Sequence, residues 1–323
     1  MASPGRLAAD GTDDQPDHLV ADYSSQDDTD SDGDSALALV RLFLHHCKKE
    51  MILMSTCVAV SRKFVGVTCF DYLETSHRKW QIISCIQRRK SVADTYFQTM
   101  RYDMILIQSE DHPDSQVVGI DLSPTQPDFV PPNLTFYIDD IEDPWTFSYK
   151  FDLIYGRMLT GSVRDWPKFI KQSYDNLESG GWIELADILL QLRSDDNTIP
   201  KGCASAKWGD LMLEAAAKFG APLDSCTRYK QQLADAGFVD IVETVYKWPC
   251  CSWPRDPKYK EMGLWNYENL GNGASGLSLA LFTRALGWTP EEVEVFLVDV
   301  RKDMKNKNIH GWWPIHVVYG RKP

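Results

Sequence analysis

Gln116-Val117-Val118-Gly119-Ile120-Asp121 is a short apolar run that closes on a carboxylate. A run of this length without polar alternation suits a strand buried on both faces of a parallel sheet. The pattern recurs on either side. Asp103-Met104-Ile105-Leu106-Ile107 precedes it and reads as the first strand of the series. Leu134 to Asp140, Phe151 to Tyr155 and Gly181 to Ala186 follow as the third, fourth and fifth. A helix is expected from about Trp166 to Leu177, with Asp165 as N-cap, Pro167 in the first turn and Gly180-Gly181 beyond its end. Asp210 to Phe219 and Arg228 to Ala236 read as further helices, the second stopping at Gly237. Phe238 to Tyr246 reads as a strand. Thr289-Pro290-Glu291-Glu292 is a capping box, and Val293, Phe296, Leu297, Val300 and Met304 then share one helical face. Ile315 to Tyr319 reads as a terminal strand. Strands alternating with helices predict an α/β fold with a mostly parallel, doubly wound sheet.

The chain has 323 residues and a net charge of −12. That acidity argues against a general nucleic-acid binder, which needs a basic patch. Eight cysteines occur and none forms a CxxC pair, so reduced, mostly buried thiols of an intracellular protein are expected. The apolar stretch from Ser35 to Phe70 is broken by His45 to Glu50, so no membrane span is expected there. Three regions emerge: a disordered acidic tail over 1–35, a poorly defined segment over 36–100, and a domain over 101–323.

In a doubly wound sheet, ligands sit at the carboxyl ends of the strands, where the strand order reverses. Acids at strand ends are therefore the informative positions. Asp121 can accept both hydroxyls of a ribose, a bidentate geometry that suits a carboxylate. It can equally cap the turn at Ser123-Pro124. Asp139 and Asp140 can accept from an adenine amino group, or serve turn chemistry in the acidic loop that continues with Glu142 and Asp143.

Longer motifs narrow the choice. Val118 to Pro127, Val130 to Asn133, Asp139 to Trp145, Phe151 to Leu159 and Ser162 to Trp166 together resemble the fungal LaeA-like methyltransferases. So do Gly180 to Glu184, Tyr246 to Pro249, Leu286 to Thr289, and the end of the chain from Arg301 through His310 to Pro323. The resemblance covers about residues 111–323. It implies a Rossmann-like class I methyltransferase fold with an antiparallel C-terminal strand, and S-adenosyl-L-methionine as cofactor. By motif position, Asp121 and Leu122 would meet the ribose, and Asp139, Asp140 and Ile141 would border the adenine. Tyr155 and Arg157 would lie beside the methionine part or the substrate. The acceptor implied is a small-molecule metabolite of fungal secondary metabolism or a protein, in the cytoplasm or nucleus. Trp265, His310 and Trp313 are candidates for a substrate pocket. For His310 a buried structural role, and for the tryptophans plain core packing, stand beside that reading.

One element of the family pattern is missing. A glycine-rich turn should follow the first strand, because glycine lets the backbone approach the cofactor closely. Here Ile107 is followed by Gln108 to Gln116, and no glycine occurs from Tyr102 to Val118. Those intervening residues are too few for a tight loop, a helix and a turn. A catalytically impaired regulator that keeps the fold and acts through protein binding is thus the alternative function. A nicotinamide-dependent oxidoreductase would also use an acid after the second strand but would need GxGxxG at the same turn; its absence, together with the family motifs, argues against that reading.

Overall fold

The structure is a computed structural model, and it describes residues 19–22, 79–83, 109, 112–122 and 129–323. A seven-stranded sheet runs in the order β3-β2-β1-β4-β5-β7-β6. Its members are β1 (Lys79–Ile83), β2 (Gln116–Asp121), β3 (Leu134–Ile138), β4 (Phe151–Arg157), β5 (Leu177–Ile188), β6 (Val239–Pro249) and β7 (Trp312–Arg321). β1 to β5 pair in parallel, and β7 lies antiparallel between β5 and β6. This is the expected mixed, doubly wound α/β sheet.

The central strand comes from a stretch where none was expected. β1 is Lys79–Ile83, and the expected strand Asp103 to Ile107 lies outside the described residues. Lys79–Ile83 bridges β2 and β4, with Ile83 opposite Ile120 on one side and Gly156 on the other. The sheet therefore reaches back into the stretch expected to be poorly defined. The connection to β2 becomes 84–115, long enough in sequence for a turn and a helix. Glycine is absent from it all the same.

Five elements follow the expected sequence signals closely. In α1 (Trp166–Asn176), the Asp165 carboxylate accepts the Lys168 N–H at 2.9 Å. The helix buries Trp166, Phe169, Ile170 and Ser173, one stripe at helical spacing. α3 (Tyr229–Ala236) stops at Gly237, whose φ of 98° only glycine adopts freely. α6 (Pro290–Lys305) opens on the Thr289–Glu292 capping box and buries Val293, Leu297, Val300 and Met304. β6 and β7 each run longer than their apolar cores suggested, because each completes the other's hydrogen-bond ladder.

α2 (Ala204–Lys218) starts well before the expected Asp210. Its N-cap, Cys203, makes no side-chain cap bond. Instead the Asp303 carboxylate of α6 accepts the N–H groups of Ala204 and Ser205. α4 (Pro257–Tyr267) and α5 (Ala274–Leu281) carried no expectation. With α6 they fill the connection between β6 and β7 and form a helical cap.

Successive strand residues face opposite ways, and the core divides accordingly. Ile154 and Leu185 bury under α1 and α3 with Phe169, Tyr229 and Val318. Leu153 and Tyr155 face the other side with Val117, Leu134 and Tyr319. On that second side, Ala186, Ile188, Ile315 and Val317 meet α2 and the cap in a cluster around Trp208, Phe282 and Trp313.

Candidate functional site

The strand order reverses at β1, with β2 and β3 on one side and β4 and β5 on the other. A crevice opens above such a reversal, because the two connections leave the sheet in opposite directions. Register defines its floor. β1 ends at Ile83, level with Ile120 and Gly156. The next residue on each neighbouring strand is Asp121 on β2 and Arg157 on β4. By the two-residue alternation of strands both rise from the face that carries Val117 and Leu153. A buried carboxylate, 2% exposed, and a half-buried guanidinium thus flank the end of the central strand.

The loop after β3 joins the same edge. The Asp139 N–H donates to the Asp121 carbonyl at 3.1 Å. Asp139 Oδ1 accepts the Asp140 N–H at 2.9 Å, and Asp140 Oδ1 accepts the Glu142 N–H at 2.8 Å. Glu142 Oε1 in turn accepts the N–H groups of Arg164 and Asp165, both at 2.9 Å. The acids that close β3 therefore build a turn that carries Ile141, 5% exposed, into the core beneath it.

The Methyltransferase domain family model matches residues 102–243. The "Probable methyltransferase tdiE" of Emericella nidulans is 35% identical over 217 residues, covering 67% of this chain and 68% of that one. The secondary metabolism regulator LAE1 of Cochliobolus heterostrophus is 37% identical over 213 residues, covering 65% and 69%. Among solved structures, coclaurine N-methyltransferase bound to N-methylheliamine and SAH matches with a TM-score of 0.42 and 12% identity, over 93% of this chain and 77% of that one. The chain belongs to the LaeA-like family of S-adenosylmethionine-dependent methyltransferases. The aligned part spans about two thirds of each relative's length.

Against that cofactor the LaeA-like site is divided. On the β2 side a buried carboxylate, an acceptor only, ends the strand and Leu122, 40% exposed, stands beside it. On the β1 side the connection 84–115 offers no residue without a Cβ. Tyr155 is not at the surface of the crevice. Its ring packs with Val117, Leu153 and Tyr319 in the core beneath.

Of the substrate-pocket candidates, Trp265 lies on α4, Trp313 on β7 and His310 just before β7. Trp313 is fully buried and packs against Trp208, ring centroids 5.9 Å apart. Trp265 is half-buried on α4. His310 is buried, stacked on Trp253 with centroids 4.9 Å apart, and its Nδ1 is bonded to the Asp196 carboxylate. Its backbone N–H donates to Thr198 Oγ1 at 2.9 Å. Burial raises the Asp196 carboxyl, but hydrogen bonds from Ser194, His310 and Thr198 outweigh it and hold the group well below the usual carboxylate range.

Sequence reading missed one constellation. Asp187, fully buried near the carboxyl end of β5, accepts the Thr160 N–H at 2.9 Å and the Tyr229 O–H at 2.6 Å. Met158, with a φ of 52°, donates its N–H to the Ala186 carbonyl at 2.9 Å. These bonds fasten the loop after β4 to β5, in a backbone conformation that a non-glycine residue adopts at a cost of about 1–3 kcal/mol. The signal was present: Asp187 is another acid at a strand end. The apolar run that marks the strand in the sequence closes at Ala186, one residue short of it.

Proposed function

We propose that this chain binds S-adenosylmethionine over the carboxyl ends of β1, β2 and β4 and transfers its methyl group to a metabolite or protein acceptor. The pairing of Asp121 and Arg157 on either side of the β1 terminus carries this reading. Bound there, the cofactor supplies a methyl group on a sulfonium sulfur, and transfer is an in-line displacement to the acceptor's lone pair. In that arrangement Asp121 accepts the two ribose hydroxyls. Asp139, Asp140 and Ile141 border the base. Arg157 sits on the opposite wall, suited to a carboxylate. Met158 and Thr160, fastened to β5, keep the far wall in one geometry. Displacement chemistry asks the protein mainly to align donor and acceptor, so a rigid wall matters more than a dedicated nucleophile.

A second reading is favoured by the glycine-free connection 84–115. There the chain keeps the fold, has lost cofactor affinity, and acts by binding other proteins. The Cochliobolus heterostrophus relative, named as a secondary metabolism regulator, is in keeping with that reading.

Calorimetric titration with S-adenosylmethionine separates the two. The enzyme reading expects micromolar binding that Asp121→Ala abolishes while circular dichroism stays unchanged. Folded wild-type protein that gives no heat up to millimolar cofactor overturns it.

A further inference from the structure

A short piece of the acidic N-terminal sequence is docked on the cap. Ala21 pairs antiparallel with Pro254. The Asp22 N–H donates to the Trp253 carbonyl at 2.9 Å, and the Arg255 N–H donates to the Val20 carbonyl at 2.6 Å. Proline has no N–H, yet the pairing loses nothing by it. Pro254 occupies the position between the two bonds, where an antiparallel ladder asks for no donor.

The side chains follow the two-residue period of a strand. Leu19 and Ala21 turn inward and pack against the cap core, Leu19 also against Tyr259 and Met262. Val20, between them, is 63% exposed. Asp22 then pairs with Lys260 on α4. Apolar anchor, outward residue, apolar anchor and acid meet, in register, a backbone edge, an apolar shelf and a lysine. A chance contact would not match at all four positions.

We infer that the edge Trp253 to Arg255, with the Lys260 side chain, is a docking site for one short extended strand. Its occupant is this chain's own segment Leu19 to Asp22, bound in cis. The mode is strand addition, in which main-chain bonds supply affinity and alternate side chains supply specificity. The chemistry it selects is an apolar residue, any residue, a small residue, then a carboxylate. The docked segment covers the loop that holds Trp253, whose ring stacks on His310. It therefore ties the start of the chain to the cap.

The inference is independent of cofactor binding and is tested on the full-length chain by amide hydrogen exchange. Asp22→Lys or Lys260→Asp alone is expected to speed exchange at the Arg255 amide by about two- to fivefold, the factor carried by a partly exposed ion pair. The two together are expected to restore wild-type protection. In Leu19→Asp the edge should open, and a labelled peptide spanning 16–25 should then bind it. The same peptide should not bind the wild-type chain, where the tethered copy has the higher effective concentration. Equal binding of the peptide to both proteins overturns the inference. So does Arg255 exchange that stays at the wild-type rate in all three single variants.

Discussion

Replacing Tyr229 by Phe removes one oxygen from a fully enclosed polar contact. The phenol and its partner are both fully buried, and the O–H reaches Asp187 Oδ2 at 2.6 Å. The ring itself is retained, so its contact with Trp166, at 4.5 Å between centroids, persists and no large cavity forms. What is lost is a hydrogen bond to a charged group, worth about 1.5–3 kcal/mol. Asp187 keeps the Thr160 N–H, which places the expected loss near the middle of that range, about 2 kcal/mol. For a chain of 323 residues, with an unfolding entropy of about 2.1 cal/mol/K per residue, that is a fall in Tm of roughly 3 °C. Scanning calorimetry of the two proteins at neutral pH reads it directly. A Tm within about 1 °C of wild type would refute the claim that this hydroxyl satisfies the buried carboxylate. The same pair has a pH signature. Burial first, and then the Asp187 charge, push the Tyr229 phenol well above its ordinary value of 10.0. The fold therefore favours the neutral phenol, and this stability is complete below pH 10 and is lost as pH rises beyond it. Tyr229→Phe should flatten that alkaline limb of the stability curve. An unchanged limb would assign it to other groups.

Three further outcomes follow from the packing. Gly263→Ala would set a Cβ 1.9 Å from the Cys251 carbonyl oxygen, which is backbone and cannot swing aside. α4 must withdraw, and urea unfolding should show a loss of about 2 kcal/mol or more, while an unchanged midpoint would contradict the close approach. Asp303→Ala leaves the first turn of α2 without its borrowed cap and should cost about 1 kcal/mol in the same assay, with Asp303→Asn losing less. Gly119→Ala would place a Cβ 2.3 Å from the Phe136 ring across the β2–β3 pair, and should weaken the edge that carries Asp121, read as a loss of stability near 1–3 kcal/mol. A Gly119→Ala protein as stable as wild type would mean that Phe136 turns aside freely.

The sequence by itself determined the repeating units. The apolar run Gln116–Asp121 that ends in an acid, the Asp165 and Thr289 caps and the glycine stop at Gly237 are local chemistry, and each forms where the sequence places it. These signals were enough to predict the sheet type and to single out Asp121. Tertiary structure decided what depends on distant partners. Lys79–Ile83 carries few local marks of a central strand, and its place comes from pairing with β2 on one side and β4 on the other. α2 begins where Asp303 reaches it, about a hundred residues along the chain. Asp187 matters because Thr160 and Tyr229 fold over it, and Leu19 to Asp22 has meaning only against the edge at Pro254. Hydrogen bonds between neighbours in sequence leave a pattern in composition. Bonds between residues far apart leave none, because each partner alone is an ordinary acid, tyrosine or strand residue until the fold brings them together.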